Sequence, residues 1–232
     1  MKFLLTIASA LCLASSSGAR ADVSPAPDRY QPPKESRERL GKINDLLFDA
    51  ARVDRQFKGL KKMLRLPDGA LFLDADLDTD ADGSPRALEI DPKWGQLPTS
   101  FSFSNEAQPR RWVNSETVPY IVLPKGFYAE MGVGLGDVAA VIWRGRVVFA
   151  IFADVGPSDR IGEGSIALSE ALGFNPWQER DGTRQIVSGI EGDVLMIVFP
   201  GSAPRDLTPE NVNAKTVERA KTLFEALGGR MN

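Results

Sequence analysis

Two acidic side chains stand in a setting suited to proton-transfer chemistry. Asp154 follows an apolar run over residues 147–153, and Glu163 comes nine residues later between two glycines. A buried strand would hold Asp154 rigidly, and a glycine-rich loop would return Glu163 towards it with the backbone open to a ligand. Two carboxyl groups can cleave a glycosidic bond, one as acid and the other as base or nucleophile. The spacing fits either geometry, and it also fits an ordinary solvated loop.

The composition narrows which chemistry the chain can perform. Among its 232 residues there is no His and a single Cys, which excludes imidazole-dependent triads, His-ligated zinc and an internal disulfide. Proton transfer must then rely on carboxylates, Lys or Tyr. With 28 basic and 31 acidic side chains the formal net charge is −3, which argues against a nucleic-acid partner and suits a cationic one. A hydrolase with this composition is most simply a two-carboxylate enzyme.

A second acidic stretch, residues 74–82, alternates Asp with other residues. From residue 78 onward it fits the twelve-residue calcium-loop consensus, with acidic ligands at positions 1, 3, 5 and 12 and glycine at position 6. Calcium is therefore one candidate cofactor, whereas a two-carboxylate reaction requires none. A strand-like segment precedes the stretch where that motif has a helix. The candidate metal ligands are Asp78, Asp80, Asp82 and Glu89.

The same stretch has two other interpretations, and the sequence leaves all three open. Alternate side chains of a strand share one face, so Asp76, Asp78, Asp80 and Asp82 would form a row of negative charge that attracts a cationic polymer. The stretch is also typical of a solvated acidic loop. Aromatic side chains could add flat apolar surfaces for sugar rings. Trp94 and Tyr120 are candidates for that role.

The hydrophobic pattern predicts a β-rich α+β fold. Apolar runs at residues 120–123, 138–143, 147–153 and 193–199 are expected to be strands, and the middle two flank a turn at residues 144–146 as a hairpin. Strands that are apolar on both faces must be covered on both. We therefore expect a small β-barrel with peripheral helices, with a double-psi-like barrel as the candidate arrangement. Helices are predicted over residues 35–66, from Ser165 to Gly173, and from Thr208 to Gly228.

The N-terminus has the pattern of a signal peptide. Lys2 precedes an apolar run over residues 3–14, and Ala19-Arg20-Ala21 forms a cleavage site, so the mature chain is expected to begin at Asp22. Residues 22–34 are rich in proline and predict a linker, residues 35–66 form the predicted helical segment, and residues 67–232 form the β-rich domain. We therefore expect a secreted or periplasmic monomer without membrane association after cleavage.

The segment from Val147 to Leu172 resembles the active-site segment of the family 75 glycoside hydrolases, the fungal-type chitosanases. In that family an apolar strand ends in the catalytic Asp, a loop rich in Gly and Pro follows, and a Gly-Glu pair enters a helix of small residues. Residues 76–83 and 119–124 are similar to two further segments of the family, and the similarity extends over residues 66–199. Fungal members carry cysteines that this region lacks.

The resemblance implies a hydrolase that cleaves β-1,4 linkages within chitosan, a cationic glucosamine polysaccharide, by an inverting mechanism. It implies Asp154 and Glu163 as the essential carboxylates, with Glu163 assigned as general acid and Asp154 as the base that positions water. The residues expected to contact substrate are Asp76, Asp78, Asp80, Tyr120 and Trp94. The alternatives are a peptidoglycan-active barrel enzyme, a non-catalytic calcium-dependent carbohydrate-binding protein and a structural envelope protein.

Overall fold

The computed structural model describes residue 47, residues 49–186 and residues 189–230. The predicted signal peptide, the predicted linker and the first part of the predicted helical segment lie outside these ranges. The strands are β1 (Ala51–Arg52), β2 (Leu60–Arg65), β3 (Leu71–Asp80), β4 (Tyr120–Pro124), β5 (Val138–Trp143), β6 (Arg146–Gly156), β7 (Glu163–Ser165), β8 (Trp177–Arg180), β9 (Thr183–Ile186) and β10 (Ile190–Phe199). The helices are α1 (Ala87–Ile90), α2 (Phe127–Glu130), α3 (Ile166–Ala171) and α4 (Val212–Ala226).

Six strands close into a barrel. Their order is β3, β10, β5, β6, β4 and β7, and β7 pairs back with β3. The β4–β6 and β3–β7 pairs are parallel, and the others are antiparallel. The predicted β-rich α+β fold with a small barrel and peripheral helices is thus confirmed, and the double-psi-like connectivity stays a prediction.

Apolar side chains at alternate strand positions fill the barrel interior. On β3 these are Leu71, Leu73, Ala75 and Leu77, and they meet the interior residues of β4, β5, β6 and β10. The outer face of the barrel needs its own cover because β5 and β6 are apolar on both faces. Helix α4 supplies part of it, with Phe224 packed edge-on against Phe149 at a centroid distance of 5.9 Å.

Two local predictions are confirmed in detail. The β5–β6 hairpin turns at Arg144 and Gly145, whose φ angles of 47° and 78° are the left-handed pair that a tight two-residue hairpin requires. Ser165 caps α3, and its Oγ accepts a hydrogen bond from the amide of Leu168 at 3.1 Å. This cap fixes α3 directly after β7.

Residue 47 is helical, but the predicted helix over residues 35–66 is wrong for residues 49–66. Residues 51–52 and 60–65 form β1 and β2, and β2 pairs with β3 along its length. The backbone pairing offered by the open side of β3 overrides the helical spacing of apolar residues. The final helix begins at Val212, later than predicted, because the Asn211 side chain accepts a hydrogen bond from the Thr208 amide and holds a turn there. None of the helices in the described ranges is long and apolar enough to cross a membrane.

A buried carboxylate joins two loops through hydrogen bonds. Asp137 is 2% exposed, and its two carboxylate oxygens accept hydrogen bonds from the amides of Gly134, Gly201 and Ala203 at 2.8–2.9 Å. Each of these amides has the carboxylate as its acceptor, and hydrogen bonds to a charged group contribute more than those between neutral groups. The loop before β5 and the loop after β10 therefore depend on one side chain.

We expect Asp137→Ala to lower the free energy of unfolding by about 3 kcal/mol, because three amides lose their acceptor at once. Asp68→Ala is the matched control, since Asp68 is exposed and accepts from the amide of Ala70 alone. That control should cost about 1 kcal/mol or less. Urea unfolding of both variants at one pH measures the difference. Equal losses of unfolding free energy in the two variants would contradict the structural role given to Asp137.

Candidate active site

A cleft of about 870 Å³ lies on the outer face of the barrel. Its floor is built from β3, β4, β7 and the end of β6, and its walls come from the segment 91–96, the β8–β9 hairpin and the loop 157–160. The residues that line the cleft include more carboxylates than cations. The acidic lining residues are Asp78, Asp80, Asp82, Asp91, Asp154, Asp159 and Glu163.

The strand register aligns both predicted catalytic carboxylates on this face. Val122 on β4 pairs with Asp154 on β6 and with Glu163 on β7. All three side chains line the cleft. Asp154 and Glu163 are therefore two strands apart, which places their backbones about 9–10 Å from each other at the usual strand spacing of about 4.8 Å. The nine-residue loop between them returns the chain to the same face.

A β-bulge turns Asp154 towards the cleft. The partner of Ile121 on β6 is Phe152, and the partner of Val122 is Asp154, so Ala153 is an extra residue in the pairing. Phe152 points into the barrel interior. Strict alternation would send Asp154 to the interior as well, because residues two apart share a face. The extra residue re-aims the carboxylate outwards, as bulges beside active sites commonly do.

Hydrogen bonds fix the orientation of the Asp154 carboxylate. Its Oδ1 accepts from the backbone amide of Ser100 at 2.8 Å, from the Ser100 hydroxyl at 2.6 Å and from the amide of Val155 at 2.8 Å. Asp154 is 8% exposed. Three donors on one oxygen hold the group in a single orientation. The second oxygen, Oδ2, receives none of these three bonds.

Asp80 and Asp82 form an acidic cluster with Asp154, with one oxygen from each carboxyl within 4.8 Å of the others. The amide of Asp82 and the hydroxyl of Tyr120 both donate to the Asp80 carboxylate, at 2.9 and 3.1 Å. Burial raises the pKa of both Asp80 and Asp82, and the charge of Asp80 raises that of Asp82 further. The raised pKa favours the protonated form of Asp82, whose carboxyl also accepts a hydrogen bond from the amide of Gln96 at 2.7 Å.

Glu163 lies in a partly enclosed position on the cleft floor. Burial raises its pKa to about 7, and the charge of Asp80 acts in the same direction, whereas the Arg160 guanidinium lowers it. Arg160 Nη1 is 3.9 Å from Glu163 Oε1 and 2.8 Å from Asp78 Oδ2. The charge of Asp154 also raises this pKa, but it contributes less than burial and Asp80 do.

Gly156 gives the Glu163 side chain its space. A Cβ atom at position 156 would lie 2.8 Å from Glu163 Oε2 and 3.0 Å from Val122 Cγ1. Both distances are shorter than ordinary contacts between a Cβ and its neighbours. The carboxyl can therefore cross the β6 backbone closely only because residue 156 has no side chain.

The predicted substrate contacts divide into two groups. Trp94 is 71% exposed and lines the cleft, with Lys93 Nζ 4.9 Å from its ring centroid, and Asp78 and Asp80 also line the cleft. Tyr120 and Asp76 do not line it, so the structure does not bring these two predicted contacts to the cleft. Tyr120 is fully buried because β4 directs its ring into an apolar cluster. Asp76 instead lies near Lys61, whose pKa is raised chiefly by its hydrogen bond to Asp193 and to a smaller extent by the charge of Asp76.

The predicted calcium loop is not formed. Asp78 and Asp80 lie on the extended strand β3, where alternate residues are about 6.8 Å apart and cannot wrap around one ion. Asp78 pairs with Arg160, and Glu89 on α1 lies 3.7 Å from Arg86. Within the described residues, the acidic cluster of Asp80, Asp82 and Asp154 is the group with metal-ligand spacing.

Sequence reasoning missed the residues that support the two carboxylates. Ser100 lies in a loop far from Asp154 along the chain, and no local pattern connects them. Gly156 and Arg160 lie inside the segment between the two carboxylates, where they read as ordinary loop residues. For Asp82 the sequence indicates a metal ligand or a member of an acidic row, and its proximity to Asp154 depends on the fold.

One family model matches the part of the chain that contains most of the residues lining the cleft. The family model described as fungal chitosanase of glycosyl hydrolase group 75 matches residues 77–232. The matched region contains both catalytic candidates and all three members of the acidic cluster. A search of curated proteins finds no match. The match begins within β3, so β1, β2 and the residues between β2 and β3 precede it.

A ¹³C NMR titration should show Glu163 half-protonated at about pH 7. Arg160→Gln should raise that pKa further, because it removes the cation that favours the ionised carboxylate. Lys221→Gln, on α4 in an exposed pair with Glu225, is the control and should leave the titration unchanged. Loss of the signal in Glu163→Gln assigns it. A pKa of Glu163 in the ordinary range for Glu, about 4.3, would contradict the expectation.

Proposed function

Because the chain belongs to the fungal chitosanase family of glycosyl hydrolase group 75, and is thus a glycoside hydrolase, we propose that it cleaves β-1,4 linkages within chitosan chains by inversion of configuration. The observation that carries the proposal is the placement of Asp154 and Glu163 two strands apart on the floor of one acidic cleft. Inverting enzymes separate their carboxyl groups by roughly 6.5–9.5 Å, and retaining enzymes by roughly 5–5.5 Å. A spacing of two strands supports the larger separation.

Glu163 acts as the general acid. A leaving glycosidic oxygen needs a proton, and the raised pKa of about 7 keeps the Glu163 carboxyl protonated in a large fraction of molecules at mildly acidic and neutral pH. Chitosan carries its charge in the same range, because its amines are protonated below neutral pH. The contact of Arg160 with Glu163 keeps this pKa from rising further, so that the proton can still be given up.

Asp154 acts as the general base. Its Oδ1 is occupied by the Ser100 and Val155 donors, so Oδ2 is the oxygen that accepts a proton from water. The distance to Glu163 leaves space for the water and the sugar ring between the two groups. Protonated Asp82 adds a hydrogen bond to Asp154 without adding a second negative charge at that point.

The cleft lining supports a cationic polysaccharide as substrate. Asp78 and Asp80 face the cleft beside Glu163, where carboxylates attract protonated glucosamine units. Trp94 offers an exposed ring on which a sugar can stack. Arg160 neutralises Asp78 in the free protein, so a substrate ammonium group would share or replace that ion pair.

We further propose that the protein acts outside the cytoplasm as a monomer and without a cofactor. The signal-peptide pattern of residues 1–21 supports export. The two-carboxylate reaction uses only groups of this chain. A cation held by the acidic cluster would occupy Asp154, the proposed base, and would compete with the reaction.

Glu163→Gln and Asp154→Asn should each lower kcat for chitosan hydrolysis at least roughly a hundredfold, because each removes one half of the acid–base pair. Reducing-end release by the folded variants measures this, with and without a metal chelator and with peptidoglycan as a parallel substrate. Glu225→Gln, on the exposed surface of α4, is the matched control and should retain full activity. A parent protein that releases nothing from chitosan, or a fully active Glu163→Gln, would refute the proposal.

The first product released should carry the α configuration at its new reducing end. Water activated by Asp154 attacks the β-linked carbon from the face opposite the leaving group, which inverts the configuration. Proton NMR of the anomeric signals in the first minutes of hydrolysis, before mutarotation, distinguishes the two anomers. Initial formation of the β anomer would mean that Asp154 acts as a nucleophile from a shorter distance.

A further inference from the structure

We propose that residues 57–59, here called the strap, are positioning residues that hold the loop 159–162 and thereby place Glu163 for catalysis. The strap precedes the region matched by the family model, which begins at residue 77. The inference rests on the catalytic role proposed for Glu163 and extends it to residues outside the family match.

Main-chain hydrogen bonds fasten the strap to the loop on one side and to β3 on the other. The amide of Lys58 donates to the carbonyl of Asp159 at 2.9 Å, and the amide of Ile161 donates to the carbonyl of Lys58 at 3.0 Å. The amide of Asp76 on β3 donates to the carbonyl of Gly59 at 2.9 Å. The strap therefore lies between β3 and the loop and is bonded to both.

Side chains reinforce both ends of this arrangement. Lys58 Nζ is 2.8 Å from Asp159 Oδ2, and the Lys58 side chain lines the cleft. Phe57 packs edge-on against Phe127, with ring centroids 5.2 Å apart, and it contacts the barrel core. Because the Lys58–Asp159 pair is exposed, its own contribution to stability is small. The main-chain bonds and the Phe57 anchor carry most of the attachment.

The loop 159–162 depends on the strap because β7, the strand that follows the loop, is too short to hold it. Glu163 is the first residue of β7, and β7 is three residues long. The residue before it, Gly162, has a φ of 96°, and its carbonyl oxygen accepts a hydrogen bond from the amide of Asp78 at 2.8 Å. A displacement of residues 159–162 therefore passes directly to Glu163 and to Arg160, the cation beside it.

Gly59 is the position at which the strap can be tested most sharply. Its φ is 83°, and a Cβ atom there would lie 2.5 Å from the carbonyl oxygen of Ile161. Gly59→Ala must therefore push the strap and the loop apart. Gly69, in the turn between β2 and β3, has a φ of 91° and open space where a Cβ would be. Gly69→Ala imposes similar backbone strain without the collision, which makes it a matched control.

The first experiment compares these two variants in the full chain. Both should lose thermal stability through backbone strain, and Gly59→Ala should lose more because its Cβ also collides with the carbonyl oxygen of Ile161. Gly59→Ala should in addition lower kcat for chitosan roughly 10–100-fold, with KM changed less than threefold, because a shift of about 1 Å at a catalytic group costs on that order. Gly69→Ala should keep kcat within twofold of the parent. Equal kcat values in folded Gly59→Ala and Gly69→Ala would overturn the proposal.

A second pair of variants covers the case in which Gly59→Ala does not fold. Phe57→Ala removes the ring that anchors the strap on Phe127, and Phe57→Leu keeps most of that apolar contact. Phe57→Ala should lower kcat in the same way, and Phe57→Leu should restore at least half of the parent rate. A folded Phe57→Ala protein with parental kcat would overturn the proposal.

Amide hydrogen exchange tests the strap independently of any activity. The amide of Ile161, which donates to Lys58, should exchange at least tenfold faster in Gly59→Ala and Phe57→Ala than in the parent, and Gly69→Ala should not change it. Unchanged exchange in both strap variants would overturn the proposal whatever the substrate is. Faster exchange in a parent background that does not cleave chitosan would uphold the strap as the holder of the loop and refute the proposed function alone.

Discussion

The pairing of β7 with two neighbours at once is the constraint on which the rest of the structure depends. Three residues join β3 on one side in parallel and β4 on the other in antiparallel orientation, and this closes the barrel. The same three residues begin with Glu163 and end with Ser165, which caps α3. One short strand thus closes the barrel, places Glu163 and starts helix α3. A shift of this strand would change all three together.

The acidic floor of the cleft is electrostatically expensive. Asp80, Asp82 and Asp154 approach each other closely, and within the described residues none of the three forms an ion pair with a cation. Full ionisation of such a group is unfavourable in a partly buried site, so the pKa values of Asp80 and Asp82 are raised. Amides and hydroxyls stabilise the carboxylates through hydrogen bonds. Tyr120 and Ser100 contribute through hydrogen bonds to carboxylates, a role that places them behind the site instead of within it.

Much of the fold could be predicted from local sequence. The continuous apolar runs around Arg144-Gly145 in residues 138–153 predict the hairpin. Ser165 and Gly173 correctly predict where α3 begins and ends. Residues 60–65 could not be identified, because their strand exists only through pairing with β3. The catalytic candidates came from the family resemblance more than from spacing. Their supporting residues depend on contacts between distant segments, and for Ser100 and Gly156 no sequence signal leads to such contacts.

The extra residue in β6 determines which side chains of the strand face the cleft. Ala153 shifts the alternation by one position, so that Phe152 faces the apolar interior and Asp154 faces the cleft. Deletion of that single residue would have one of two unfavourable results. The chain could keep its backbone pairing and bury a carboxylate among apolar side chains, or keep the carboxylate outside and slip every pair beyond it. Length at this point of the strand is therefore as strictly specified as the identity of the acid itself.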